Sequence, residues 1–215
     1  MLQLQLVTQL SLLLQQSSQL SNSTFLIVGL GNPGPDYSAN RHNVGQMALS
    51  VLADRLGASF KSHKANAAVA EARLGFGGAK VILAKPATYM NTSGGPVSAL
   101  LKFYDLPLSN LIVLHDELDI PAQDIRIKLA GGHGGHNGLR DIIAACGSNE
   151  FARVRIGIGR PPGRMDTADF VLKDFSSVER KDLPVTLELA CDAVEAIVND
   201  GVQLAQTKVN APTAE

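Results

Sequence analysis

No stretch of this chain approaches the roughly 18 consecutive apolar residues that a membrane-spanning helix needs. Cysteine is scarce: Cys146 and Cys191 are the only two. One bridge is therefore the most the chain can form, and two reduced thiols in a cytoplasmic protein are the expectation. Charge of one sign is lacking too. The formal net charge is −1 over 215 residues, so the molecule as a whole has no electrostatic attraction for nucleic acid. The first 22 residues, MLQLQLVTQLSLLLQQSSQLSN, carry no charged side chain. A secretory signal needs a positive start and a small-residue cleavage site, and a transit peptide needs arginines. Residues 1–22 are accordingly read as an extension, disordered or loosely helical, ahead of one domain over 23–215. There is no internal repeat, no linker and no GxSxG elbow. Neither cysteine stands beside a histidine in sequence, so covalent catalysis has no local signature.

What is present fits a globular protein. Hydrophobic residues make up 45 % and charged residues 18 %, a balance that permits a substantial core. TFLIVGLG reads as a buried strand from Thr24, and HNVGQMALSVLADRLG as a helix closed by Gly57. AAVAEARLG and KVILAKP form a hairpin across Gly-Phe-Gly-Gly. A helix from near Thr92 leads to the strand NLIVLHDELD and then to IRIKL. GHNGLRDIIAACG is helical, RVRIGIG is a strand, and a long helix interrupted near Pro184 closes the pattern. Strands alternating with helices predict an α/β fold, with a mixed, mostly parallel central sheet flanked by helices.

Gly29, Gly31 and Gly34 spell GxGxxG directly after the first strand, the dinucleotide-binding pattern by letter. That pattern works only if its last glycines open a helix facing a pyrophosphate. Here the chain continues Asn32-Pro33-Gly34-Pro35, which favours a turn or an extended path. Asp54, the acidic residue at the appropriate distance, falls within a helix. The nucleotide reading is rejected, and with it an oxidoreductase.

Polar groups instead cluster at strand ends, where open α/β sheets form their ligand crevice. Asn32 follows the first strand, Asn91 follows the hairpin, His115-Asp116 closes NLIVL, and His136 and Asn137 open a helix. GLGNPGPDYSANRHNVG, KPATYMNTSG, HDELD, KLAGGHGGHNGLRDII and RVRIGIGRP, in that order and spacing, resemble the bacterial-type peptidyl-tRNA hydrolase family from about Phe25 to about Asp200. The resemblance implies one α/β domain acting as a cytoplasmic monomer, without cofactor or metal. Its substrate would be peptidyl-tRNA. The reaction would be hydrolysis of the ester joining the peptide to the terminal ribose, which recycles tRNA from abandoned translation. Carried over by position, it makes His42 the general base and Asp116 its partner. It makes Asn32, Asn91 and Asn137 substrate-binding, with Tyr37, Tyr89, Met90 and His136 in the same set. Lys128, Arg126 and Arg155 fall where the family has basic contacts to tRNA. Ala130 departs from the glycine-rich pattern, and the N-terminal extension has no counterpart; neither touches the proposed chemistry.

The residue types suit that chemistry independently. Attack of water on an ester at neutral pH needs a base with a pKa near 7, and imidazole, at about 6.5, qualifies. A carboxylate on one ring nitrogen fixes the tautomer and stabilises the imidazolium. Asparagine amides offer uncharged donors to a developing oxyanion. Each residue also has a plainer role open to it. His42 at a helix start suits a cap or core position, and Asp116 suits a turn. Asn32 before Pro33 and Asn137 before Gly138 have ordinary turn chemistry. His133 and His136 have metal-compatible spacing, but no third ligand is evident. From Pro121 to Met165 seven basic and three acidic residues leave a local charge of +4, which fits a phosphate contact or a solvated face equally. A non-catalytic, nucleic-acid-binding relative with the same fold is the competing reading; against it, His42, Asp116 and the three asparagines are all present.

Overall fold

The computed structural model describes residues 23–211; the expected N-terminal extension lies outside them. Seven strands form one sheet in the order β2-β3-β4-β1-β5-β7-β6. They are β1 (Thr24–Gly29), β2 (Lys61–His63), β3 (Ala67–Arg73), β4 (Lys80–Pro86), β5 (Leu111–Glu117), β6 (Ile125–Leu129) and β7 (Ala152–Gly157). The central four, β4-β1-β5-β7, are parallel, and β2, β3 and β6 add antiparallel margins. The helices are α1 (Val44–Arg55), α2 (Gly94–Phe103), α3 (Asn137–Cys146), α4 (Thr167–Val171), α5 (Glu179–Asp200) and α6 (Val202–Val209). The mixed, mostly parallel sheet flanked by helices is as the sequence predicts.

The central strands are buried on both faces, which is why they read as unbroken apolar runs. Leu26, Val28, Ile82, Leu111 and Val113 pack with Val97 and Leu100 of α2 and Leu139 and Ile142 of α3. Ile27, Leu83, Ile112 and Leu114 pack on the other face with Leu49 and Leu52 of α1 and Val194 and Ile197 of α5. Cys146 and Cys191 are free thiols. At the β6 margin the Asn210 side chain exchanges two 2.8 Å hydrogen bonds with the Ile127 backbone, so the edge strand is closed by an amide where another strand would pair. Among the described residues no helix is long and apolar enough to cross a membrane.

Several local expectations need correction. Pro184 does not interrupt the long helix; it lies inside α5, in the second turn, where the missing amide removes one intrahelical bond. The helix expected from Thr92 begins at Gly94, after a 3-10 turn over Met90–Thr92. Likewise a 3-10 turn over Arg41–Asn43 precedes α1. The three residues of β2 and the five of α4 are too short for periodicity to reveal. After Gly34 the chain enters a short 3-10 turn, Pro35–Tyr37, so no long helix faces the glycine loop.

Chain order then locates the cleft. After β1 the chain builds β2, β3 and β4 on one side of that strand, and then crosses through α2 to β5 on the other. The carboxyl ends of β1 and β5 therefore flank the point where strand order reverses, the standard position for a ligand crevice. Two glycines bring α1 down onto these ends. A Cβ on Gly29 would stand 2.5 Å from the Gly45 carbonyl oxygen, and one on Gly45 would overlap the Leu114 carbonyl and lie 2.9 Å from the Leu30 nitrogen. Alanine ordinarily stabilises a helix interior relative to glycine. Here Gly45→Ala is expected to destabilise the fold by about 1–3 kcal/mol through overpacking, measured by urea denaturation; a variant as stable as wild type would contradict this close approach.

Candidate active site

A cavity of about 640 Å³ opens at the carboxyl ends of β1 and β5, lined by Asn32, His42, Met90, Asn91, Asp116, His136 and Asn137. Seven of the predicted site residues thus come together from four separate segments. The rest of its wall includes Leu118, Asp119, Arg160 and residues 166–168, 171 and 172, the last five of which the sequence did not single out. The exposed Arg160–Asp119 ion pair lies on this side.

His42, in the 3-10 turn before α1, places Nδ1 2.8 Å from Asp116 Oδ1. A carboxylate oxygen only accepts from an imidazole N–H, so Nδ1 carries the proton and Nε2 is the bare nitrogen. Nε2 is not among the buried unpartnered atoms, and His42 lines the cavity. Burial disfavours the charged ring, but the Asp116 carboxylate and its hydrogen bond outweigh that, and the pKa stands above the ordinary histidine value. Asp116 is buried. Burial alone would favour its neutral acid, yet His42 and His136 together hold it well below the usual carboxylate range.

Asp116 Oδ1 accepts a second bond, at 3.0 Å, from His136 Nε2. At the start of α3 the other nitrogen of His136 accepts the Leu139 N–H at 3.3 Å, a capping bond that leaves its only proton on Nε2. One carboxylate oxygen therefore takes a hydrogen from each of two rings, whose centroids are 5.0 Å apart. A third imidazole lies behind them. His115 is buried, donates Nδ1–H to the Asp116 backbone carbonyl at 2.7 Å and meets the His136 ring edge-on at 5.0 Å. Burial, followed by the neighbouring His136, lowers its pKa to about 3, so it is neutral at neutral pH.

The asparagines differ in how firmly they are held. Asn32 Oδ1 accepts the Met90 N–H at 2.8 Å, and the Asn32 backbone exchanges two 2.9 Å bonds with the Asn43 side chain. With Oδ1 engaged, its NH₂ is the group left for the cavity. Asn137 Oδ1 accepts from Arg140 at 2.5 Å, which again leaves the NH₂ free, whereas Asn91 is exposed in the Met90–Thr92 turn. Met90 is buried beneath Gly138, where a Cβ would come within 2.6 Å of its sulfur. Tyr37 and Tyr89 do not line the cavity; they stand beside it, edge-on to each other at 6.3 Å.

Arg126, Lys128 and Arg155 share one face of the β6–β7 margin, with Arg126 directly opposite Arg155. Arg126 pairs with Asp124 and Arg155 with Glu117. Lys128 has no carboxylate partner among the described residues. His133 is not part of the site, and its Nδ1 accepts the Gly135 N–H. His42, Asp116 and His136 offer three ligand atoms within 4.8 Å of one another, as a metal would require; His42 Nδ1, Asp116 Oδ1 and both His136 nitrogens take part in the hydrogen bonds just described.

A base with a bare nitrogen, an orienting carboxylate and amide donors around one crevice are the equipment of a hydrolase that activates water. The comparisons agree with that class. Residues 26–215 match the family described as Peptidyl-tRNA hydrolase. The chain is 62 % identical to the peptidyl-tRNA hydrolase of Arthrobacter sp. strain FB24 over 185 residues, 86 % of this chain and 95 % of that protein. It is 58 % identical to that of Renibacterium salmoninarum over 188 residues, 87 % and 97 % of the two chains. The crystal structure of peptidyl-tRNA hydrolase from Acinetobacter baumannii is similar with a TM-score of 0.81 at 38 % identity, covering 89 % of this chain and 95 % of that one. The chain belongs to the peptidyl-tRNA hydrolase family.

The neutral His115 has a consequence for stability. Below about pH 6.5 an unfolded histidine takes up a proton that the folded protein accepts only near pH 3. The unfolded state then binds more protons, so this residue costs stability as pH falls, by at most about 1.4 kcal/mol per pH unit. His115→Asn keeps a donor for the Asp116 carbonyl and removes the titration. The stability difference between wild type and variant in urea should shrink from about pH 7 to about pH 4; a constant difference would place a charged His115 in the fold.

Proposed function

We propose that the chain hydrolyses the ester between a peptide, or an N-blocked aminoacyl group, and the 3′-terminal ribose of tRNA, with His42 as general base. The observation that carries this reading is the divided imidazole, with Nδ1–H tied to Asp116 at 2.8 Å and Nε2 left at the cavity. Nε2 takes a proton from water as the oxygen adds to the ester carbonyl. Asp116 stabilises the imidazolium without itself being protonated. The intermediate collapses by breaking the bond to the ribose oxygen, which receives the proton from His42. The free peptide carboxyl and intact tRNA are the products.

The amide NH₂ groups of Asn32 and Asn137, with Asn91 at the rim, serve as donors to the oxyanion and to peptide carbonyls. One well-placed donor to an oxyanion contributes about 2.7–4 kcal/mol. Asn32 is the best oriented, since its amide oxygen is fixed by accepting the Met90 N–H. Tyr37 and Tyr89, outside the cavity, are assigned to the substrate at the rim. Lys128 is assigned to tRNA phosphate ahead of Arg126 and Arg155, whose charges are partly spent on Asp124 and Glu117. The same reading takes the enzyme to be a cytoplasmic monomer that recycles tRNA and uses no metal; the two free thiols suit a reducing compartment.

Release of tRNA from an N-blocked aminoacyl-tRNA should be lost in His42→Ala and unaffected by a chelator; chelator sensitivity would assign a metal to His42, Asp116 and His136. Turnover of wild type should rise with pH through an apparent pKa above the ordinary histidine value of about 6.5, and a flat profile would argue against histidine as base. Asp116→Asn should lower kcat by on the order of 10²–10⁴ with little change in KM, whereas a comparable loss of affinity would make Asp116 structural.

A further inference from the structure

We propose that Arg41 is a positioning residue that joins the far wall of the cleft to the base. The proposal rests on the reading of His42 as that base. Arg41 directly precedes His42 in the 3-10 turn, and its side chain is buried, at 8 % exposure. Its Nε and Nη2 donate to the two carboxylate oxygens of Glu179 at 3.1 and 2.6 Å. Its Nη1 donates to the Lys173 and Asp174 carbonyls at 3.2 and 2.9 Å. The guanidinium lies over the Phe170 ring at 4.4 Å and the Phe175 ring at 5.5 Å. The backbone repeats the attachment. Arg41 N–H donates to Lys173 O, Phe175 N–H donates to Ala39 O, and Asn40 bridges Asp174 with a 2.6 Å side-chain bond.

All of these contacts reach the stretch from Phe170 to Glu179, which continues directly from the cleft wall of residues 166–172. A five-residue helix such as α4 has no stability of its own. What orders it beside the cleft is packing and the attachment to Arg41. If apolar packing between Phe170 and Phe175 were the whole requirement, leucine or methionine would satisfy it without the desolvation cost of a buried cation. A guanidinium adds direction, because its planar fork meets a carboxylate in one orientation. The turn carrying His42 and the cleft wall of residues 166–172 therefore move as one piece. A wall displaced from its closed position would draw His42 away from Asp116.

A second arginine provides the control. Arg55 binds Glu188, Asp192 and Glu195 and so ties α1 to the same helix α5, but on an exposed surface away from the cleft. Arg41→Lys, Glu179→Gln and Arg55→Gln would be compared in the full chain on an N-blocked aminoacyl-tRNA, with His42→Ala alongside and thermal midpoints recorded. Arg41→Lys and Glu179→Gln are expected to lower kcat on the order of ten- to a hundred-fold, the scale of a displaced catalytic group, while KM changes less than kcat. The acid limb of their pH profiles should move to lower pH, because a His42 less tightly paired with Asp116 loses what raises its pKa. Arg55→Gln should lower the thermal midpoint and leave kcat and the limb in place. Unchanged kcat and pH limb in Arg41→Lys and Glu179→Gln, with His42→Ala inactive, would overturn this proposal alone. Equal loss of kcat in Arg55→Gln would reduce Arg41 to a stability residue. Activity in His42→Ala would remove the base on which both readings stand.

Discussion

Everything at the site depends on the absence of two Cβ atoms. Gly29 at the end of β1 and Gly45 in the first turn of α1 let the helix rest on the backbone of β1 and β5, with no side chain between them. That contact sets the height of the turn preceding α1 above the ends of the strands. His42, in that turn, comes level with Asp116, the sixth residue of β5. A longer side chain at either glycine would lift the helix and separate the two groups. The geometry of the His42–Asp116 pair is thus set by close packing first, and electrostatics then acts on groups already brought within 2.8 Å.

The electrostatics is economical in charge. Three imidazoles surround one carboxylate, and they differ because each makes different second contacts. His115 is neutral because it is buried beside the His136 ring. His136 is held as a donor because a helix-capping bond occupies its other nitrogen. His42 alone retains a bare nitrogen at the cavity. Oδ1 of Asp116 is shared between His42 and His136, so its negative charge is divided between two donors.

Much of this was legible in the residues because it is local. Asn32, Asn91, Asp116, His136 and Asn137 lie where a strand ends or a helix begins, and apolar periodicity marks those boundaries; His42 and Met90 were marked by the family resemblance. The alternation of apolar runs likewise revealed the doubly covered sheet. The far wall was not legible. Residues 166–172 span a five-residue helix with its caps, and are held beside the cleft by core packing of Phe170 and Val171 and by Arg41, more than 120 positions earlier in the sequence. Arg41 itself reads as an ordinary basic residue, since its burial depends on Phe170, Phe175 and Glu179. The charge of the segment from Pro121 to Met165 misled in another way: Arg126 and Arg155 are partly neutralised by carboxylates, and Arg153 is buried against the Gly131 and Gly132 carbonyls. Composition counts charges without saying which of them face solvent.

The attachment of Arg41 to Glu179 also sets an order of events during biosynthesis. His42, Asp116 and His136 are all made within the first two thirds of the chain. Glu179 is added 138 positions after Arg41, and on a translating ribosome it emerges later still. Until then the growing protein holds His42, Asp116 and the asparagines without the wall of residues 166–172 or the carboxylate that pairs with Arg41. While it is being made, the chain is itself a peptide esterified to tRNA, the same chemical class as its substrate. The late arrival of Glu179 means that the crevice closes only after every residue of the His42, Asp116 and His136 cluster has been made.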